Sequence, residues 1–416
     1  MDRAIWWCRE APRRAALAAR TPHRGTPSVR FFPPLMRESE FLDLYFKILH
    51  FMPPGSASRI TIPVDFVTTR PLNDLTRFPP PLHVAAPPAG IRRDVAVVRE
   101  RSRSLARALL CADLVYVWDW SAVPAGSVAA ESPRVCNVDR HRNGADAWTW
   151  AEFLYNQWPP AQRAAEIAAS RQRLRDALAR LPRYDRAYVF GTGPSLEQAW
   201  QHDFSDGYRI VCNTIVNNST LMDHINPHLV VAGDAAYHFD VNRHAVAFQR
   251  DLEAAMRARD LLFVTRDLYA PLLAFHHPDT RRRTLLAESG VPGIHFTAPE
   301  RIVYHQWPHG NILNALLLPL GSSLANDVTL LGFDGRAPGE KAFWQNSPLN
   351  TYDAYKPAIR EAHPAFFEID FEAYAQAHSD NAEQLMQAGE AMGKRYRCLN
   401  DSYIPAFRKR RVEGLG

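Results

Sequence analysis

The chain has 416 residues, of which 46% are apolar, 22% charged and 11% aromatic, and its formal net charge is +5. That length is enough for two domains with substantial cores. The mild cationic excess is compatible with anionic substrates, but no basic run interleaved with aromatics points to nucleic acid.

Five cysteines (Cys8, Cys111, Cys136, Cys212 and Cys398) are scattered without a CxxC pair. Neither a disulfide framework nor a zinc site is expected, and a reducing cytoplasm is the natural compartment. Apolar stretches such as Ile312 to Leu318 fall far short of the roughly 20 residues a membrane span needs.

Residues 1–30 are rich in Arg and Ala and poor in acid, which predicts a disordered basic tail. Residues 406–416, with Arg408-Lys409-Arg410-Arg411, form a second basic end. Both are solvated tails or peripheral contacts with an anionic membrane.

Residues 31–150 read as a small α/β domain with no chemical motif. A helix is predicted over 39–52, with Ser39 as cap and Pro53-Pro54 as stop. A strand at 60–64, an irregular proline-rich stretch over 71–90, a helix over 94–111 and strands at 114–118 and 134–138 follow. Residues 151–185 are expected to connect the domains. Within them, 160–181 has the clearest helical stripe, carried by Ile167, Leu174, Leu178 and Leu181.

From 186 to 405 strands and helices alternate. Strands are predicted at 187–191, 208–212, 228–233, 261–265, 294–297, 327–332 and 396–399. Helices are predicted at 194–202, 217–225, 241–258, 310–321, 351–361 and 371–393. Alternation of this kind argues for an α/β fold with a mostly parallel sheet covered by helices. Ligands of such sheets bind at the carboxyl ends of the strands, where strand order reverses.

Polar residues recur just past those ends. Gly191-Thr192-Gly193-Pro194-Ser195 follows the first strand and opens a helix, with Pro194 at its first position. Such a turn either offers N–H groups to a phosphate or is an ordinary β–α turn. Asn213 follows the second strand, Asp234 the third, and Asp334 and Arg336 the sixth. His309 and Gly310 precede an apolar helix. Each is a turn former or cap when taken singly; together they mark one edge of the sheet.

Several familiar chemistries do not fit. A dinucleotide fingerprint needs glycine where Leu196 stands and an acid where Asn213 stands. There is no P-loop lysine, no Gly-x-Ser-x-Gly elbow and no Asp-x-Asp. His305 and His309 have the spacing of a helical metal pair, but Pro308 breaks that helix.

The motifs Gly191-Thr192-Gly193-Pro194-Ser195-Leu196, Cys212-Asn213, His309-Gly310, Gly332-Phe333-Asp334 and His378-Ser379-Asp380-Asn381, in this order, resemble the bacterial lipooligosaccharide sialyltransferases of glycosyltransferase family 42. The resemblance spans residues 186–405. Its opening motif is shared with the 6-hydroxymethylpterin diphosphokinase-like family and the motility-associated-factor glycosyltransferases.

The resemblance implies a Rossmann-like domain and inverting transfer from a CMP-activated acidic sugar, with no metal and no cofactor. The acceptor would be a surface glycan precursor, of lipopolysaccharide or capsule, at the inner membrane. It gives His378 the role of general base and Asn213 a contact with the nucleotide. Gly191, Thr192, Gly193 and Ser195 would lie against phosphate or ribose. Asp234, His309 and Gly310 would lie beside the donor, with Asp334 also at the nucleotide.

Arg336 and Lys341 stand where the family places two tyrosines on the departing phosphate, and cations can stabilise that charge as well as phenols do. Two rival readings remain. One is a pterin diphosphokinase-like enzyme using ATP and magnesium, for which Asp234 and Asp334 would be the available acids. The other is a non-catalytic nucleotide- or glycan-binding protein.

Overall fold

The computed structural model describes residues 26–66, 75, 90–307, 311–340 and 345–413. The first 25 residues, most of the proline-rich stretch, His309, Gly310 and Lys341 lie outside the described residues. The chain folds as two units. One holds the chain up to Pro159 with Ala235–Val246 and Tyr355–Glu368; the other holds Pro160–Asp234, Ala247–Ala354 and Ile369–Gly416. Against the linear boundaries read from the sequence, two excursions from the later chain belong to the first unit.

In the first unit five parallel strands run in the order β3-β2-β1-β4-β5. They are β1 (Ser28–Phe32), β2 (Arg59–Val64), β3 (Val95–Arg99), β4 (Leu114–Val117) and β5 (Val135–Asn137). β4 is buried along its whole length, as befits a parallel strand covered on both faces. Helices α1 (Glu38–Phe51), α2 (Leu105–Leu110) and α3 (Asp146–Gln157) complete the unit's main elements.

The sheet begins at Ser28, so the expected tail through residue 30 ends early. Ser28 is fixed by Asp113 Oδ2, which accepts from its backbone N (2.8 Å) and its Oγ (2.7 Å). The helix expected over 94–111 is two elements. Val95-Ala96-Val97-Val98 is rich in β-branched valine and forms a strand; the helix starts only after Ser104, whose Oγ accepts from the Arg107 N–H at 3.3 Å.

The core of this unit is aromatic. Trp150 packs on Phe31, Phe51 and Tyr116 at centroid distances of 5.6, 5.8 and 5.3 Å. Beside it lies a buried charge network. Lys47 Nζ is 3.2 Å from Asp146 Oδ2 and 3.7 Å from Asp240 Oδ2, and His363 Nδ1 is 3.2 Å from Asp146 Oδ1. Asp240 and His363 come from the two excursions, so these charges fasten both segments to α1 and α3.

In the second unit seven parallel strands run in the order β10-β9-β8-β7-β6-β11-β12. They are β6 (Arg186–Phe190), β7 (Tyr208–Cys212), β8 (Leu229–Val231), β9 (Leu262–Arg266), β10 (Thr284–Ala287), β11 (Asp327–Leu331) and β12 (Arg395–Cys398). This is the expected α/β, Rossmann-like architecture. One strand is corrected: β10 is Thr284–Ala287, fully buried, and not 294–297. In the predicted place His295 N is bonded to His305 Nε2 at 2.9 Å instead of to a sheet neighbour.

The helix read as a connector, α4 (Pro160–Arg180), covers edge strand β10. Its Ser170 Oγ accepts from Leu286 N at 2.6 Å and its Arg173 Nε donates to Thr284 O at 3.0 Å. Side chains of α4 thus satisfy backbone groups that an edge strand would leave open.

Of the remaining helices, α5 (Ser219–Ile225) and α7 (Arg243–Ala258) fall in predicted places, whereas the short α6 (Ala235–His238), α8 (Ala270–His276) and α9 (Pro278–Arg282) are not among those expected. After them come α10 (Leu318–Leu324), α11 (Lys356–Ala362), α12 (Phe371–Ala391) and α13 (Pro405–Arg408). α6 and α11 lie in the excursions. No helix among the described residues is long and apolar enough to cross a membrane.

The basic C-terminal end is docked rather than a solvated tail. Arg410 donates to Glu383 (2.8 Å) and Glu390 (2.7 Å), and Arg411 to Asp401 (3.0 Å). Those cations are engaged within the unit, which removes them as a free patch for lipid headgroups.

Candidate functional site at the carboxyl edge of the seven-stranded sheet

Chain direction across the large sheet reverses between β6 and β11, and the loops leaving these two strands are pressed together. Gly191 N donates to Leu331 O (2.8 Å) and Gly193 N to Gly332 O (2.9 Å). A Cβ on Gly191 would stand 2.4 Å from Gly332 O, and one on Gly193 would stand 2.0 Å from Asp334 Oδ2. Only glycine permits this approach.

The expected phosphate cradle is already filled. Ser195 N donates to the Asp334 carboxylate (3.1 Å to Oδ1) and Ser195 Oγ to Oδ2 (2.8 Å), while Leu196 N closes back on Gly193 O (3.0 Å). A carboxylate thus occupies the start of the short 3₁₀ segment Pro194–Gln201, where an incoming anion would sit. The N–H groups of residues 191, 193, 195 and 196 are spent inside the protein. Burial pushes the Asp334 carboxyl up, and the Ser195 hydrogen bonds pull it down by less.

Thr192 is tied elsewhere. Its Oγ1 donates to Asn346 Oδ1 (2.8 Å), and its O accepts from Ser347 N (2.8 Å). Ser347 Oγ continues to Glu197 at 2.9 Å. The segment 346–351 also crosses the turn after β7. Thr214 Oγ1 donates to Asn350 O, and Asn217 Nδ2 to Thr351 O at 3.4 Å. Asn213, in the left-handed region at φ 48°, opens that turn; asparagine is among the few residues that accept it.

Several polar atoms here have no partner, as others do elsewhere among the described residues. The Oδ1 atoms of Asn213 and Asn217, both amide atoms of Asn350 and Nε of Arg336 are buried and unbonded. Arg336 is half-buried and donates through its terminal Nη2 to Glu340 O. The sequence singled out Asn213 and Arg336. It missed Asn350, which lies far along the chain and carries no motif.

A second group lies at the ends of β8 and β9. Burial raises the phenol pKa of Tyr304, and the Arg266 guanidinium stacks over its ring at 5.0 Å, opposing that rise. Burial also raises Tyr374, with the charge of Asp234 adding to it. The charge of Asp234 therefore acts on two phenols.

His378 lies one turn along α12 from Tyr374 and is buried. Asn314 Nδ2 bonds both its Nδ1 (2.8 Å) and its O (2.9 Å). Asn314 belongs to the π-helical turn Leu313–Leu317 that precedes α10. Because the amide nitrogen meets Nδ1, that ring atom is the acceptor and the proton sits on Nε2. Burial pushes the imidazole down to about 4. It is neutral near pH 7 and presents a donor, so its surroundings do not set it up as the base expected from the sequence. Its bonded partner is Asn314 and not residues 191–195, Asn213 or Arg336.

Among the described residues no group of His, Cys, Asp and Glu has the spacing to hold a metal ion. Asp334, one of the two acids the diphosphokinase reading needs, is engaged with Ser195. Comparison with family models, with curated proteins and with solved structures finds no match.

Proposed function

We propose that the second unit binds a nucleotide-activated sugar at the junction of β6 and β11 and transfers the sugar to a hydroxyl acceptor. The observation that carries this reading is Arg336: a half-buried guanidinium, its Nε unpartnered, at the carboxyl edge where strand order reverses. That is where parallel α/β sheets bind ligands, and a half-buried cation with an unpartnered donor suits a phosphate. With the N–H groups of the Gly191 turn spent, the phosphate goes to Arg336. Asp334, two residues away, stays on Ser195 and holds the Gly191 turn beside the phosphate.

In this reading the acceptor oxygen bonds to the anomeric carbon as the bond to the phosphate oxygen breaks, and the hydroxyl proton passes to solvent water. The electron pair leaves with the nucleotide, whose growing charge Arg336 compensates without a metal. The motif resemblance favours a CMP-activated acidic sugar as donor and a surface glycan as acceptor. His378 acts as a neutral positioning residue that holds α12 against the π-helical turn.

The test is calorimetry on the full chain with CMP, cytidine and ATP, each with and without magnesium. The expected result is CMP binding that magnesium does not alter. Arg336→Ala should weaken CMP at least about tenfold, roughly 1.4 kcal/mol, and leave cytidine unchanged. Binding confined to ATP with magnesium would move the assignment to the diphosphokinase reading. CMP binding with no transfer or donor hydrolysis would leave a binding protein.

A further inference from the structure

We infer that the first unit holds the nucleotide site of the second in its binding-competent form, with Lys47 as the positioning residue at the centre of that hold. The inference rests on the second unit binding a nucleotide, and it gives the five-stranded unit, which carries no chemical motif, a task of its own.

Both excursions are inserted beside residues of the candidate site. The first begins at Ala235, directly after Asp234, and ends at Val246 inside α7. The second begins at Tyr355, just past segment 346–351, and ends at Glu368, just before α12. Segment 346–351 bonds Thr192, Glu197, Thr214 and Asn217 on the loops that leave β6 and β7. α12 carries Tyr374 and His378, and Asp370 caps it by accepting from the N–H groups of Glu372 and Ala373 at 3.0 Å. Three pieces of the site are thus joined end-on to segments folded into the first unit. Only residues 352–354 and 369–370 separate the second excursion from 346–351 and α12, so there is little slack to absorb its release.

Within the first unit the two excursions behave as one body. The Phe366 ring stacks on His363 at 5.7 Å and 13° and meets Tyr237 edge-on at 6.2 Å. Each excursion is also bonded to the rest of the unit: His50 Nε2 donates to Phe239 O (2.7 Å) and Ala365 N to Arg140 O (3.1 Å). Lys47 joins the two. Its Nζ pairs with Asp240 in one and reaches His363 in the other through Asp146. The Lys47 side chain is 7% exposed and both carboxylates 1%. Removing the cation leaves both carboxylates buried without it, so one substitution loosens both excursions at once. Where only the docked form binds ligand, apparent affinity falls with the docked fraction.

The experiment combines calorimetry with CMP and amide hydrogen exchange, on the full chain and on Lys47→Met, with Phe366→Leu as the second variant should Lys47→Met not fold. Leu109→Ala is the control. Leu109 packs with Leu105, Val115 and Ala130 in a cluster that includes no residue of either excursion, and its truncation destabilises the first unit by a cavity. All are measured well below their melting temperatures. In wild type, CMP should slow exchange over 237–242 and 359–366, because coupling between sites is reciprocal. Lys47→Met should abolish that protection, speed exchange at the Ser347 and Asn350 amides, and weaken CMP at least about fivefold. Leu109→Ala should do none of these. CMP affinity unchanged in Lys47→Met, or lowered equally in Leu109→Ala, overturns the inference and leaves nucleotide binding standing. If wild type binds no nucleotide, the nucleotide reading falls. Exchange at Ser347 and Asn350 then decides the hold on these loops: faster in Lys47→Met alone supports it, and unchanged overturns it too.

Discussion

In the five-stranded sheet the chain starts at β1 and reverses between β1 and β4; in the seven-stranded sheet it starts at β6 and reverses between β6 and β11. The plan is the same, but polar groups are treated differently. At the first reversal Trp118 N donates to Phe32 O (3.0 Å), Trp118 Nε1 to Pro33 O (2.6 Å) and Trp120 N to Asp139 Oδ2 (2.8 Å). Glu40 closes the start of α1 by accepting from Met36 N and Arg37 N at 2.8 and 3.0 Å. At the second reversal, the Oδ1 atoms of Asn213 and Asn217, both amide atoms of Asn350 and the Nε of Arg336 remain unpartnered. Two sheets of one topology thus separate a scaffold from a site, and the fold alone does not say which is which.

The largest expected effect tests the scaffold. Lys47→Met leaves Asp146 and Asp240 buried without their cation. Removing one partner of a buried ion pair costs about 3–5 kcal/mol. The urea midpoint should fall accordingly, and the two excursions should lose hydrogen-exchange protection first. Replacing Lys47, Asp146 and Asp240 together by apolar residues of similar volume should cost far less. A single substitution within 1 kcal/mol of wild type would mean the network does not fasten these segments.

Next comes acid lability in the second unit. His378 is held near 4 by burial, against about 6.5 in an unfolded chain. Its folded value is depressed, so the unfolded state binds the proton more readily. The stability it preserves is complete above pH 6.5 and is lost as pH falls toward 4, about 3 kcal/mol over the window. His378→Gln should flatten that part of the stability curve. If instead turnover collapses in this variant and the acid limb of its pH–rate profile moves, His378 is the base after all.

Gly193→Ala is smaller and local. The added Cβ meets Asp334 Oδ2 at 2.0 Å and Gly332 O at 2.8 Å, so the carboxylate must leave Ser195. About 1–3 kcal/mol is expected from such overpacking, visible in the melting temperature. A neutral outcome would show that Asp334 is not seated against the turn.

These positions show what the sequence discloses and what it hides. The alternation after residue 186 reveals the parallel sheet because buried strands and covering helices each leave a periodic trace. The glycines of 191–193 mark a close approach, but not what approaches: the sequence suggests phosphate, and the fold delivers Asp334 from about 140 residues away. His378 looks like a base because its motif is local, whereas the atom that fixes its proton belongs to Asn314. Strand 95–99 is missed because its β-branched run is short and abuts a true helix. Asn350 has no local signature, since its meaning arises only when 346–351 crosses the turn after β7.

The smallest effect separates the two regions by sign. Asp146, in the first unit, is buried, yet Lys47 and then His363 outweigh that burial and lower its carboxyl. It therefore contributes stability above the unfolded carboxylate value, and this is lost as pH falls through the lower folded value. Asp334, in the second unit, has no cation paired with it among the described residues, and burial raises its carboxyl. The native state holds that proton longer than the unfolded chain does, so ionisation begins to cost stability as pH rises past about 4. The penalty is complete above the raised folded value. Asparagine cannot ionise, so the two substitutions should move in opposite directions over the acid range. Relative to wild type, Asp146→Asn should lose stability as pH rises and Asp334→Asn should gain it. Parallel slopes in urea titrations from pH 3 to 7 would mean that Asp334 has a cation partner, and the contrast between a paired scaffold and an unpaired site would not hold at this residue.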